Sequence, residues 1–212
     1  MTDMSTPYEG SGRSAQKRRT REALVSAARN LVARGLAPTV EDAAAAAAIS
    51  RTQAYRYFPS QHALLMAAHP ETVARSMLDD DASEDPTARL DAVVDTFLGL
   101  ILDTEAQQRT MLRLSLEVDP ADRGALPLRQ GRAIGWFTEA LEPLRDRLTE
   151  PVLHQLVLAI RSAVGIEALV WLTDIAGLSR AEATELMRWT ARSLLTAALN
   201  TPPALAGGEP AD

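Results

Sequence analysis

The chain has 212 residues, no cysteine, 46% hydrophobic but only 4% aromatic residues, and a net charge of −6. That length suffices for one large domain or two small ones with a real core, and the lack of thiols excludes disulfide and thiol chemistry. Ala and Leu dominate the apolar set and no run of β-branched residues alternates, which predicts an all-α fold. The charge is unevenly spread. Residues 1–62 hold nine Lys/Arg against five acids, +4, whereas the remainder holds 13 against 23, −10. A basic head on an acidic body suits a head that meets a polyanion; a solvated cluster gives the same count.

The first 16 residues are polar and lack the apolar core of a signal peptide. No stretch approaches 18 uncharged apolar residues, so no membrane span is expected and the cytoplasm is the expected location. Residues 1–14 read as a disordered basic arm. A helix is predicted over residues 15–33, where Leu24, Ala27, Ala28, Leu31 and Val32 share one face. Gly35 supplies its stop and Pro38 lies just beyond. Thr39 and Asp42 form a capping box for a second helix. Six alanines follow at residues 43–48, small enough to let neighbouring helices approach. Ile49 sits in a short turn. Ser50 caps a third helix, with Gln53 at the capping-box position, and Pro59 ends it. Ser60 caps a fourth helix, clear over residues 62–68, which Pro70 breaks. Residues 15–66 thus read as a helix-turn-helix domain, its second and third helices short and joined by a tight turn.

An acidic, turn-rich link at residues 79–86 leads on, within a second region spanning residues 67–200. Helices are predicted over 87–103, 105–117, 128–148 with a bend at Pro143, 151–175, and from the Ser179 cap to residue 199. That makes about nine helices in all, with a loop at 119–127 and a loose tail at 201–212. The last two helices are apolar on more than one side, which predicts a homodimer built as a four-helix interface from two copies of the pair.

Arg51, Thr52 and Gln53 open the third helix, the end that enters a DNA groove. Arg51 can fork onto guanine, Gln53 can pair with adenine, and Thr52 can touch a thymine methyl. Tyr55 and Arg56, one turn on, suit phosphates, as does the Ser50 hydroxyl; Tyr57 fits either role. Lys17, Arg18, Arg19 and Arg21 suit the DNA backbone or minor groove. Thr39, at the second helix N-terminus, joins this candidate set. In the second region Glu167 interrupts an apolar stripe of Ile160, Val164 and Trp171. Its carboxylate needs a partner, such as Arg188 or Arg192, or a ligand to orient. Phe97, Met111, Trp136, Phe137, His154, Arg161, Glu167 and Trp171 are the candidate lining of a pocket for a small hydrophobic or aromatic ligand, and each also fits ordinary core or surface packing. His62, His69 and His154 have no metal-site spacing, and neither a phosphate loop nor a nucleophile elbow occurs, so no enzyme, metal or cofactor is expected.

Thr39-Val40-Glu41-Asp42-Ala43-Ala44, Ala48-Ile49-Ser50, Ala54-Tyr55-Arg56-Tyr57-Phe58-Pro59-Ser60 and Ala63-Leu64-Leu65 together resemble the TetR/AcrR family of bacterial transcription regulators. Gly165-Ile166-Glu167-Ala168-Leu169 and Leu178-Ser179-Arg180-Ala181-Glu182-Ala183 resemble its C-terminal end more weakly. The resemblance implies an all-helical homodimer whose third helix enters the major groove of a pseudo-palindromic operator. It implies a C-terminal domain that dimerises and holds a small molecule, whose binding re-spaces the two heads and releases DNA, most often from repression. An activator or a ligand-independent regulator of the same family fits the same residues. A helical interaction protein with an acidic partner is the reading from another class. Two positions depart from the family pattern. Ala48 stands where the turn often has Gly, and Gln61 stands where the fourth helix often opens with a phosphate-gripping Lys.

Overall fold

The computed structural model describes residues 8–69, 76–117 and 131–201, with side chains from residue 14 onward. Pro70, the 119–127 loop and the tail beyond residue 201 lie outside the described residues. Within them the chain is all-helical and falls into two compact units.

The first unit holds α1 (Tyr8–Ala33), α2 (Val40–Ala46), α3 (Arg51–Tyr57), α4 (Gln61–Ala68) and nearly all of α6 (Glu105–Glu117). Helix α1 starts seven residues before residue 15, so residues 8–14 are helix and not a disordered arm. Leu24, Ala28, Val40, Ala43, Ala54, Phe58 and Leu64 form its core. Ala43 and Ala44 of the alanine run are buried, as is Ala54 of α3, so these small side chains serve close approach between short helices, while Ala45, Ala46 and Ala48 are exposed. Placing α6 here corrects the boundary at residue 67. Met111 and Leu114 pack with Val32 and Leu65, and the buried Gln107 donates through Nε2 to the Ala68 carbonyl at 2.8 Å. Arg29 Nε donates to the same carbonyl at 3.2 Å, so the end of α4 is satisfied from both α1 and α6.

The caps form largely as the sequence predicts. Thr39 and Asp42 close a full capping box, and the Thr39 N–H holds the Asp42 carboxyl below the usual carboxylate range. Ser50 and Ser60 cap α3 and α4. Helix α2 ends in a Schellman motif: Ile49 N–H donates to Ala44 O at 2.9 Å and Ala48 N–H to Ala45 O at 3.2 Å. The motif needs a left-handed residue between α2 and Ile49, and Ala48 supplies it at φ 54°. An L side chain there costs about 1–2 kcal/mol, and Gly would return about 0.5–1 of it as unfolded-state entropy. Ala48 is exposed, so no packing is lost on truncation. Ala48→Gly is therefore expected to stabilise the protein by up to about 1 kcal/mol. Urea melts of the two proteins measure it, and a loss of stability would contradict the strain.

The second unit holds α5 (Pro86–Asp103), α7 (Arg132–Ala140), α8 (Glu150–Ala163), α9 (Ile166–Val170) and α10 (Arg180–Asn200). Two long helices predicted from sequence are broken. Helix α7 stops at Ala140 and passes into a 3-10 turn at Glu142–Leu144, because Pro143 is used to start that turn instead of bending a continuing helix. The predicted 151–175 helix breaks at Val164, whose backbone is extended at φ −123°, ψ 106°. Arg161 Nη1 donates to the freed Val164 carbonyl at 3.1 Å. A Cβ on Gly165 would collide with that guanidinium, so glycine is what lets Arg161 reach back. Beyond α9 the backbone widens into a π turn at Trp171–Ile175, where Ala176 N–H donates to Trp171 O at 3.0 Å. The run Glu150–Ile175 reaches a mean hydropathy of 1.7, but it carries this break, Arg161 and Glu167, and Leu153, Leu156, Val157, Ile160, Ile166 and Leu169 are buried within the unit.

Candidate nucleic-acid interface

Because Ser50 caps α3 through its side chain, the first turn of α3 presents Arg51, Thr52 and Gln53 outward, all exposed. Gln53 is not tied into a capping box; only its backbone N–H is held, by Ser50 Oγ at 3.3 Å. Ala54 and Phe58, on the opposite face, are buried and fix α3 to the unit's core. Lys17 from α1 and Ser50, Thr52, Gln53, Arg56 and Tyr57 line one open recess of about 520 Å³. A chain segment 33 or more residues away in sequence thus delivers a cation to the third helix. Neither Lys17 nor Arg56 has an ion pair among the described residues. That leaves two full positive charges on the recess.

The remaining predicted residues are more occupied. Arg18 pairs with Glu22 at 3.6 Å, and Arg19 donates to Gln16 Oε1 at 3.1 Å. Arg21 lies over the Phe58 ring, 5.2 Å from its centroid. The Thr39 hydroxyl is spent on Asp42. Gln61 donates from Nε2 to the carbonyls of Ala37 and Pro38, both at 3.1 Å. It ties the α1–α2 loop to α4, a structural use of the position where the resemblance implies a phosphate contact.

Arg51 and Tyr55 meet a residue that the sequence reading did not single out. Glu41, on α2, takes Arg51 Nη2 at 2.9 Å and the Tyr55 hydroxyl at 2.8 Å, both on Oε1. The Arg51 guanidinium also lies 5.8 Å from the Tyr55 ring centroid. The hydrogen bond from Tyr55 holds the Glu41 carboxyl below its usual range, and the same bond pushes the Tyr55 phenol up. The crossing of α2 and α3 creates this triad, and no sequence periodicity signals it.

The ligand-pocket candidates do not converge as a set. Phe97, Trp136 and Phe137 are buried together, with Phe97 centroids 5.9 Å from Trp136 and 5.8 Å from Phe137. Arg161 lies over the Phe97 ring at 5.3 Å and reaches Glu167 Oε2 at 3.4 Å. Met111 belongs to the first unit, His154 is exposed, and Trp171 is 58% exposed. Glu167 has Arg161 as a partner where Arg188 or Arg192 was expected. Those two arginines pair instead with Asp95 at 2.5 Å and Asp91 at 2.6 Å on α5.

The chain is therefore a helix-turn-helix protein with a second, helical unit. Its fold is that of a TetR transcriptional regulator from Rhodococcus sp. RHA1, whose crystal structure it matches with a TM-score of 0.55 at 19% identity, over 87% of this chain and 98% of that one. No family model and no curated protein matches the sequence.

Proposed function

We propose that the protein is a cytoplasmic transcription regulator that binds duplex DNA as a homodimer through α3, and that it is a repressor released by a small molecule. The observation that carries this reading is the recess shared by Lys17 and the α3 residues Thr52, Gln53 and Arg56. It offers base-reading groups and phosphate-binding cations on one surface. Sequencing of genomic fragments selected by the purified protein tests it. A pseudo-palindrome should be enriched, because two symmetric heads read two half-sites. Arg51→Ala should cost about 1–3 kcal/mol and relax preference at one position of each half-site. Selection that returns no palindrome would sink the proposal.

Support for the homodimer comes from exposed apolar side chains of the second unit. Trp171, Ile175 and Trp189 are 58%, 73% and 64% exposed, and Leu158 and Leu186 are also exposed. Trp171, Leu186 and their neighbours line a groove of about 360 Å³ between α9 and α10. Large exposed apolar groups of this kind suit a partner surface. Sedimentation should give a dimer at micromolar concentration, and Trp189→Glu should shift it toward monomer. A wild-type monomer at that concentration would refute the assembly.

Release by a ligand rests on Arg161 and Glu167. The Arg161 side chain is only 15% exposed and faces both an aromatic ring and a carboxylate. A partly buried cation of this kind can orient a weakly charged aromatic or hydrophobic molecule. A ligand releases DNA only if it favours the DNA-incompetent spacing of the heads.

A further inference from the structure

We propose that Glu41 is a positioning residue for base reading, its carboxylate holding the Arg51 guanidinium at the start of α3 so that Arg51 reads one base pair instead of gripping phosphates at large. This rests on the DNA-binding function proposed above and adds a specificity determinant to it.

Three contacts restrain Arg51. Its Nη2 donates to Glu41 Oε1 at 2.9 Å, that oxygen is itself anchored by the Tyr55 hydroxyl at 2.8 Å, and the guanidinium lies over the Tyr55 ring. The restraint holds Arg51 without hiding it, since its side chain remains 74% exposed while that of Glu41 is 36% exposed. An arginine already restrained loses less rotamer freedom when it meets a base, and its planar fork keeps one direction. Charge points the same way. The other acid of α2, Asp42, is engaged in the Thr39 cap, so Glu41 is the carboxylate that faces the reading helix. Paired, Arg51 and Glu41 are neutral together and release no phosphate counterion on binding. Lys17 and Arg56 supply the net charge of the recess. The surface thus divides labour: free cations hold phosphates, and a buttressed arginine reads sequence.

Binding of the wild-type protein, Glu41→Ala, Glu41→Gln, Arg51→Ala and the Glu41→Ala/Arg51→Ala and Glu41→Gln/Arg51→Ala double variants tests this. The duplexes are the selected operator, the operator with the Arg51-dependent base pair replaced, and an unrelated duplex of equal length. Glu41→Ala should tighten binding to the unrelated duplex several-fold and cut discrimination at the Arg51-dependent pair by about tenfold. Glu41→Gln keeps an oxygen acceptor and should retain an intermediate discrimination. In the Arg51→Ala background, Glu41→Ala should cause no further loss at that pair. Full discrimination in both Glu41 variants would overturn the proposal, as would an equal loss with and without Arg51. Should Glu41→Ala not fold, Glu41→Gln in the two backgrounds decides by the same criterion. Wild type that prefers neither duplex would instead sink the DNA-reading function itself.

Discussion

Phe137→Ala is expected to destabilise the protein by about 3–5 kcal/mol and to lower its melting temperature by roughly 6–20 °C for a chain of this size. Phe137 is fully buried and meets Phe97 nearly edge-on, with ring planes at 88° and centroids 5.8 Å apart. Phe97 in turn touches Trp136 and lies under the Arg161 guanidinium. Removing the central ring's partner leaves a void among α5, α7 and α8 and loosens a cation held against an aromatic face. With only 4% aromatic residues in the chain, such a cluster has no obvious substitute. Thermal melts check the prediction. A drop below about 2 °C would mean the ring borders adaptable space, as a ligand wall would, instead of close-packed core. Trp136 belongs to the same cluster, so a ligand-response test at that position needs Trp136→Phe, which keeps the core filled.

Residues 15–66 were legible because their signals are local. Thr39, Ser50 and Ser60 announce helix starts by hydroxyl chemistry, Pro59 announces a stop, and apolar spacing picks out Leu24 and Ala28 as core. Even the strained turn could be read, because Ala48 stands where a left-handed residue is needed. What depends on tertiary contact was not legible. Nothing local tells that Gln107 on α6 reaches the end of α4, or that Gln61 is spent on two loop carbonyls. Helix α6 has the amphipathic pattern of any core helix, and the pattern does not say which core. The break at Val164 was missed because valine, glycine and the flanking apolar residues sustain helical periodicity. What ends the helix is the Arg161 side chain turning back to cap the Val164 carbonyl. The apolar excess of the last two helices is largely spent within the unit, where Leu153, Leu156, Val157, Ile160, Val164, Met187 and Leu195 are buried, while Trp171 and Trp189 stay exposed.

Operator binding is expected to weaken steeply with salt, by roughly 10³–10⁵-fold between 50 and 200 mM if the dimer neutralises about 6–10 phosphates. The contributions to that slope should be unequal, in a way set by the ion pairs already present. Lys17 and Arg56 enter the recess with full charge. Each truncation to Ala removes about one neutralised phosphate per head, so the slope of log affinity against log salt should flatten by about 2 per dimer. Arg19 keeps its charge beside a neutral Gln16 acceptor and should behave similarly if it reaches the backbone. Arg18 shares its field with Glu22 and should contribute less. Arg51, neutralised by Glu41, should leave the slope nearly unchanged while its loss relaxes base preference. Titrations of operator and unrelated duplex at four salt concentrations separate these behaviours. If Lys17→Ala and Arg51→Ala flatten the slope equally, Arg51 is gripping phosphate, and the division between holding and reading does not exist. If neither changes it, the DNA backbone runs across a different surface from the recess.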